Sequence, residues 1–142
     1  MKEILVKDII RECNASLIMG DENLKIENFS KDTREINEND CYIGIKGENF
    51  DGNLFYEEAF KKGASACILE KESVKDIDFR NYNNKTIIIV DNSIKFLQEL
   101  AAYKRSLYDI PVIAVTGSVG KTSTKEIISS VLSTKDNVLK TE

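Results

Sequence analysis

The stretch from Thr116 to Thr122 reads Thr-Gly-Ser-Val-Gly-Lys-Thr and has the residue types that bind a phosphate chain. It lies between an apolar run and a segment with helical periodicity, and its glycines let the backbone turn tightly with its N–H groups pointing inward. A helix N-terminus adds roughly half a positive charge at the same point. Lys121 would then reach the β- and γ-phosphates of a nucleotide, and the Thr122 hydroxyl would ligate Mg²⁺.

These features predict an ATP site in which Lys121 is the catalytic residue, because a lysine there stabilises charge on the transferring phosphoryl group. Thr122 is the predicted metal ligand. The predicted ATP-binding residues are Gly117, Ser118, Val119, Gly120, Lys121, Thr122 and Ser123. Because the sequence offers no structural partner for the charge of Lys121, we expect its replacement to cost little stability.

The alternative interpretation of this loop is a strand-to-helix turn with an exposed lysine. If glycine makes up about 7% of residues, as in proteins generally, the pattern G-x-x-G-K-[ST] arises by chance in well under about one chain in a hundred of this length. We therefore favour phosphate binding. The loop is two residues shorter than the common G-x-x-x-x-G-K-[ST] pattern. This difference argues against an ordinary GTPase or kinase.

The composition excludes several other kinds of chemistry. The sequence has 142 residues and no histidine, which excludes Ser-His-Asp and Cys-His catalysis and any histidine metal ligand. Cys13, Cys41 and Cys67 fall in apolar segments, and their wide spacing predicts buried free thiols in a reducing compartment. The net charge of −4 argues against general nucleic-acid binding. Since no apolar run approaches the roughly 20 residues that span a bilayer, we expect a cytoplasmic protein without a membrane partner.

The elements that must position these residues alternate along the first 91 residues, which predicts an α/β fold with a parallel sheet. The predicted helices are residues 6–13 and 54–62, and the predicted strands are residues 15–18, 24–29, 41–45, 66–69 and 86–90. The 15–18 and 24–29 strands are expected at sheet edges, whereas the continuous apolar run 86–90 is typical of a central strand. Residues 51–53 offer turn chemistry and an N-cap for the second helix. Residues 70–85 are predicted to form a loop.

Further elements are predicted beyond residue 91. A helix from Ser93, its expected cap, to about Tyr108 should bury Ile94, Leu97, Leu100, Ala101 and Leu107. A strand at residues 112–115 should lead through the glycine loop to a helix at residues 121–132, and another strand should start at residue 137. We therefore expect an incomplete ATP-binding domain whose last ~30 residues are the least ordered part.

The short loop, with Lys-Glu-Ile-Ile following, resembles the ATP loop of the Mur ligases, the ATP-dependent amide ligases of bacterial cell-wall synthesis. Residues 30–34 resemble the S-x-D-[ST]-R element of this family, and residues 40–47 resemble its G-D-L-F-V-A-L-K-G strand and loop. Residues 48–53 resemble E-R-F-D-G-H, and residues 137–142 match N-V-L-K-T-E. The sequence departs from the family pattern at Cys41, at Asn39 in place of glycine and at Asn53 in place of histidine.

This resemblance implies two domains. Residues 1–91 would form the domain that binds the UDP end of the substrate, and residues 92–142 would begin a Rossmann-like, P-loop ATPase domain. The residues that would line the UDP site are Ser30, Lys31, Thr33, Arg34, Gly47, Glu48, Asn49, Phe50, Asp51 and Asn53. The alternative is that Asp32 and Arg34 form only a solvated ion pair and that Asn53 is only a helix cap. Because an amide does not titrate, we expect no pH dependence of binding from position 53.

The K-G-E-x-F-D-G and N-V-L-K-T-E motifs are most similar to those of the family member that joins D-alanyl-D-alanine to UDP-N-acetylmuramoyl-tripeptide. The resemblance implies ATP and Mg²⁺ as cofactors, an acyl phosphate intermediate and a monomeric full-length enzyme. These 142 residues alone are expected to be inactive and to self-associate. The alternatives are the family member that adds the third amino acid and a non-catalytic nucleotide-binding module.

Overall fold

The computed structural model describes residues 3–141, which fall into two units that divide between Tyr108 and Asp109. The strands of the first unit are β1 (Ile4–Leu5), β2 (Ser16–Met19), β3 (Lys25–Ile26), β4 (Phe29–Ser30), β5 (Cys41–Ile43), β6 (Ala66–Glu70) and β7 (Thr86–Val90). Its helices are α1 (Val6–Glu12), α2 (Tyr56–Lys61), α3 (Lys71–Val74) and α4 (Ser93–Ser106). Three short 3₁₀ turns cover Thr33–Glu35, Gly52–Phe55 and Arg80–Tyr82.

Five strands form one sheet in the order β2-β7-β6-β5-β4, and β1 pairs separately with β3. The β4–β5, β5–β6 and β6–β7 pairs are parallel, whereas β2 runs antiparallel to β7. The predicted parallel strand–helix–strand unit is therefore confirmed, and β2 and β4 lie at the sheet edges as predicted. The segment predicted as one strand at residues 24–29 instead divides between β3 and β4. Residues 70–85, predicted as a loop, include α3 and a 3₁₀ turn.

The sheet is buried on both faces because its strands alternate side chains between two hydrophobic clusters. Ile68 and Ile88 belong to the cluster that contains α1 and α4. Cys67 and Ile87, one position earlier on the same strands, belong to the cluster that contains α2. The three cysteines are buried free thiols as predicted, and burial raises the pKa of Cys13 to about 11.

Two predicted helix faces differ from the observed ones. Asn92, and not Ser93, caps α4 by accepting the Lys95 N–H. Ile94 is 51% exposed while Phe96 is 2% exposed, so the buried face of α4 is rotated from the predicted one. The segment predicted to be helical from residue 54 begins as a 3₁₀ turn, and Leu54 and Phe55 point outward.

The second unit contains α5 (Lys121–Leu132), which confirms the predicted helix. The strands predicted at residues 112–115 and from residue 137 are wrong: residues 109–116 and 137–141 contain no strand. Val112 and Leu139 are 65% and 95% exposed. A strand needs a neighbour to satisfy its N–H and C=O groups, and residues 109–141 supply none. Among residues 3–141, no helix combines the length and apolar character needed to cross a membrane.

The orientation of α4 gives the first testable prediction. Phe96→Ala should lower the free energy of unfolding of the 142-residue chain by about 3–5 kcal/mol, because it removes a fully buried ring. Ile94→Ala, two residues away on the exposed side, should change it by less than about 1 kcal/mol. Urea denaturation of both variants measures the difference. Equal losses would contradict the observed helix orientation.

Candidate functional site

The two loops predicted to bind the UDP substrate emerge from the same edge of the sheet. Residues 30–34 follow β4 and residues 44–53 follow β5, and these strands are parallel neighbours. The carboxyl ends of parallel strands meet at one edge, which is where open α/β sheets bind ligands. The two motifs are separate in the sequence, and the fold thus places their loops at neighbouring strand ends.

The first loop, residues 30–34, is shaped by hydrogen bonds among its own residues. The Ser30 hydroxyl accepts the Asp32 N–H at 3.1 Å. The Asp32 carboxylate accepts the Arg34 N–H and the Arg34 guanidinium, with a shortest contact of 2.5 Å. The guanidinium lowers the pKa of Asp32 to about 2. Since the Arg34 side chain is 83% exposed, this ion pair contributes little stability and leaves most of the guanidinium in solvent.

A hydrogen bond connects this loop to helix α2, which follows the second loop. The Thr33 hydroxyl donates to Glu58 Oε1 at 3.0 Å, and Lys62 approaches the same oxygen at 3.0 Å. Hydrogen bonds from Lys62 and then from Thr33 lower the pKa of Glu58. Lys31, in the same loop as Thr33, is exposed.

The second loop is a small hairpin with an exposed tip. The Gly47 N–H donates to the Phe50 carbonyl at 2.9 Å, and the Gly52 N–H donates to the Ile45 carbonyl at 3.0 Å. Gly47, Glu48, Asn49 and Phe50 are all exposed. The Phe50 ring is in edge-to-face contact with Phe55, with 6.4 Å between centroids. The hairpin therefore presents both polar groups and an aromatic surface to solvent.

Asn53 is the exception in this loop because its side chain is fully buried. Its Oδ1 accepts the Glu70 N–H at 2.8 Å, and its Nδ2 donates to Asp51 Oδ1 at 2.7 Å. A Cβ on Gly44 would lie 2.6 Å from Asn53 Oδ1, so only glycine allows this approach. This geometry gives Asn53 a role in holding the loop, and its contact with substrate stays a prediction.

The Asp51 carboxylate is also held inside the loop. It accepts the Asn53 N–H at 2.9 Å and the Ser73 hydroxyl at 2.6 Å. Burial alone would raise the pKa of Asp51, but the hydrogen bonds from Ser73 and Asn53 outweigh it and the pKa is lower than usual. Asp51 thus caps the turn at Gly52–Phe55, within the segment predicted to offer a cap. Asn53, the residue named as a possible helix cap, instead accepts the Glu70 N–H.

The glycine loop of the second unit turns at two glycines and leads directly into α5. Gly117 and Gly120 have φ angles of 151° and 80°, which favour glycine. Gly120 is the N-cap of α5. The first N–H groups of a helix have no partner within it, so they are available to an anion. The loop and helix end therefore fit a phosphate chain.

The side chains of this loop are open to solvent. Ser118, Thr122 and Ser123 are exposed, and Val119 is 90% exposed. The Lys121 ammonium donates to the Gly117 carbonyl, so the expectation that it has no partner was wrong. Within residues 3–141, no group of three His, Cys, Asp or Glu side chains could hold a metal ion. Mg²⁺ binds oxygen ligands, including the phosphate oxygens of a nucleotide. Thr122, which has a hydroxyl oxygen, stays the predicted protein ligand of the ion.

Sequence reasoning missed three polar residues beneath the second loop: Glu70, Ser73 and Ser93. Glu70 ends an apolar strand, Ser73 falls in the segment predicted as a loop, and Ser93 is the predicted helix cap, so each residue has a local explanation. A separate open cleft of about 460 Å³ lies beside the edge strand β2, helix α3 and the carboxyl end of β7. None of the predicted site residues lines that cleft.

The sequence profile described as "Mur ligase family, catalytic domain" matches residues 25–105, more than half of the chain. The chain belongs to the Mur ligase family. This result covers the two loops of the first unit and confirms the family indicated by the sequence motifs.

Two relatives in the family are named for the reactions that they catalyse. The chain is 35% identical over 138 residues to UDP-N-acetylmuramoyl-tripeptide–D-alanyl-D-alanine ligase of Synechocystis, covering 96% of this chain and 29% of the relative. It is 33% identical over 132 residues to UDP-N-acetylmuramoyl-L-alanyl-D-glutamate–2,6-diaminopimelate ligase of Clostridium tetani, covering 89% and 26%. The chain thus spans less than a third of the length of these curated relatives.

Solved structures of the family have the same mixed α/β architecture. The MurF ligase of Thermotoga maritima, solved in complex with ADP, superposes with a TM-score of 0.66 at 35% identity. The match covers 82% of this chain and 25% of that one. The α/β fold with a parallel sheet, predicted from the sequence, is therefore confirmed.

The burial of Asn53 gives a second prediction. Asn53→Ala should lower the free energy of unfolding by about 1–3 kcal/mol, because the Glu70 N–H loses its buried acceptor. Asn49→Ala, at the exposed tip of the same loop, should stay within about 0.5 kcal/mol of the parent chain. Thermal denaturation compares the two. An unchanged stability of Asn53→Ala would show that the buried amide does not hold the loop.

Proposed function

We propose that this chain forms the UDP-substrate-binding part and the beginning of the ATP-binding part of a peptidoglycan-precursor ligase. The enzyme would join D-alanyl-D-alanine to UDP-N-acetylmuramoyl-tripeptide. The observation that carries the proposal is the 35% identity, over nearly the whole chain, to a relative named for this reaction. The family membership of the chain and the open phosphate loop before α5 support it.

In this proposal, residues 1–91 are the UDP-substrate domain and residues 92–142 begin the ATP-binding domain. Both substrate loops lie in the first unit, and the glycine loop lies in the second. Helix α4 belongs to the first unit, where Phe96 and Leu100 are buried. The compact first unit thus extends to Tyr108, past the proposed boundary at residue 91.

The two loops of the first unit would hold the UDP end of the substrate. The exposed guanidinium of Arg34 can exchange one side of its pairing with Asp32 for a diphosphate oxygen, since guanidinium groups bind phosphate in a bidentate manner. The Phe50 ring, 65% exposed, offers a face on which a base can stack. Ser30, Lys31 and the tip residues Gly47, Glu48 and Asn49 would complete the site.

The glycine loop would act on ATP. When bound, ATP supplies the phosphoryl group that converts the terminal carboxylate of the tripeptide into an acyl phosphate, with ADP as the other product. The amine of D-alanyl-D-alanine would then attack the acyl carbon, lose a proton and displace inorganic phosphate as the amide forms. Backbone N–H groups at the start of α5 would hold the phosphate chain. Lys121 would leave the Gly117 carbonyl and stabilise charge on the transferring group. Thr122 would be a ligand of Mg²⁺, which would neutralise negative charge on the phosphate chain.

The alternative substrate within the family is the shorter precursor to which the third amino acid is added. The similarity to the diaminopimelate ligase of Clostridium tetani, at 33% identity, favours this alternative. The sequence of residues 46–52, Lys-Gly-Glu-Asn-Phe-Asp-Gly, favours the D-alanyl-D-alanine reaction. We therefore retain D-alanyl-D-alanine as the proposed second substrate.

The proposed enzyme is a monomer that works in the cytoplasm. ATP and UDP-linked precursors are available in that compartment, and thiols such as Cys13, Cys41 and Cys67 stay reduced there. The 142 residues alone expose an apolar stripe on α5, with Ile127 and Val131 at 66% and 63% exposure. Exposed apolar surface favours association. We therefore expect the isolated chain to self-associate.

The phosphate-loop assignment predicts the behaviour of Lys121→Ala. In a protein of family length that carries this chain, the variant should lose ATP-dependent ligation by at least about 10³-fold, because the lysine acts on the transferring phosphoryl group. Lys135→Ala, an exposed lysine beyond the same helix, is the matched control and should retain the parent rate. ADP release measures both. Turnover by Lys121→Ala at the parent rate would refute the assignment.

The proposal also predicts the activity of the 142-residue chain itself. Amides at one helix end hold phosphate weakly by themselves, so we expect ATP affinity on the order of millimolar or weaker and no ligase activity. The measurement is ADP release with UDP-N-acetylmuramoyl-tripeptide and D-alanyl-D-alanine, with each substrate omitted in turn as the control. ADP release that requires both substrates would mean that these residues suffice for the reaction.

A further inference from the structure

A ring of three hydrogen bonds, closed by one packing contact, lies beneath the hairpin loop of residues 44–53. Ser93, the first residue of α4, is fully buried, and its hydroxyl donates to the Gly44 carbonyl. The Ser93 N–H donates to Glu70 Oε1 at 2.8 Å. Helix α4 is therefore joined to the start of the loop and to the end of β6.

The same residue of β6 holds the other end of the loop. The Glu70 N–H donates to Asn53 Oδ1 at 2.8 Å, and Asn53 packs directly against Gly44. The ring thus runs from Gly44 through Ser93, Glu70 and Asn53 back to Gly44. Both ends of the loop are fixed to each other through two residues that lie outside it.

The remaining contacts of the loop do not replace this ring. The Gly47–Phe50 and Gly52–Ile45 hydrogen bonds shape the hairpin internally. Other contacts hold further points of the loop: the Tyr42 hydroxyl donates to the Gly52 carbonyl at 2.8 Å, the Ser73 hydroxyl donates to Asp51 at 2.6 Å, and the Gly44 N–H donates to the Ile68 carbonyl at 2.9 Å. None of these contacts reaches α4, whereas the contacts of Ser93 and Glu70 join both ends of the loop to the start of that helix.

We propose that Ser93 and Glu70 are positioning residues for the substrate loop, which they aim from the N-terminus of α4 and the end of β6. Neither belongs to a motif that the sequence indicated. A carboxylate is favoured at a helix N-terminus, so Glu70 also suits the first turn of α4. The inference rests on the proposed function, in which the tip at residues 47–50 binds the UDP end of the substrate.

Ser93→Ala in the 142-residue chain tests the ring without any ligand. Hydrogen exchange of the Gly47 and Gly52 amides should become roughly three- to tenfold faster, which corresponds to the loss of one hydrogen bond. Exchange in β7 and in residues 66–68 of β6, which lie outside the ring, should stay unchanged. The matched control is Ser106→Ala at the exposed end of the same helix, whose hydroxyl donates to the Tyr103 carbonyl. Loop exchange as slow as in this control would overturn the proposal.

Glu70 provides a second pair of variants in case Ser93→Ala fails to fold. Glu70→Gln keeps an oxygen that accepts the Ser93 N–H, whereas Glu70→Ala removes it. Loop exchange should rise in Glu70→Ala and stay within about twofold of the parent in Glu70→Gln. Equal exchange in the two variants would overturn the role of the Glu70 side chain.

The functional measurement is binding of UDP-N-acetylmuramic acid by calorimetry, followed by steady-state kinetics in a protein of family length. Ser93→Ala should weaken binding and raise KM for the UDP substrate by roughly three- to tenfold, with kcat within about twofold. A fall in kcat alone would overturn positioning. If the parent chain binds no UDP compound, the proposed function fails, while faster loop exchange in Ser93→Ala would still support the ring.

Discussion

Parallel pairing of β4, β5, β6 and β7 is the constraint on which the rest of the first unit depends. Because these strands are parallel, their carboxyl ends all lie at one edge of the sheet, and the loops that follow them meet there although they are distant in sequence. The same pairing buries both faces of the sheet and therefore requires helices on each side. Thr33 and Glu58 illustrate the result, because 25 residues of chain separate two groups that share a hydrogen bond.

At this edge, buried polar groups are satisfied by one another while the groups proposed to bind substrate stay exposed. The buried Asn53 and Ser93 and the half-buried Glu70 lie below the loop and hold its ends, whereas Arg34 and Phe50 are open to solvent. No buried side-chain nitrogen or oxygen among the described residues lacks a partner. The division suits a binding site, since a loop that is already fixed loses less entropy when a ligand binds.

The sequence predicted the fold of the first unit well because hydrophobic period and turn chemistry are local signals. It failed where the outcome depends on a partner that is distant in sequence. Helix α4 carries two overlapping apolar stripes, and only packing against α1 and the sheet selects Phe96 over Ile94. Residues 112–115 have strand composition but no neighbouring strand among residues 109–141. The ring through Ser93 and Glu70 joins residues 23 and 49 positions apart, which no local pattern could reveal.

The central claim is that the first unit binds the UDP substrate at the carboxyl edge of its sheet and that the second unit binds ATP phosphates. Nuclear magnetic resonance of the labelled 142-residue chain, titrated separately with UDP-N-acetylmuramic acid and with Mg²⁺–ATP, tests both parts at once. The account predicts that the UDP compound shifts the amides of residues 30–34 and 47–53, and that ATP shifts those of residues 117–123. Shifts by the UDP compound that are confined to residues 117–123, or absent from both loops, would contradict it.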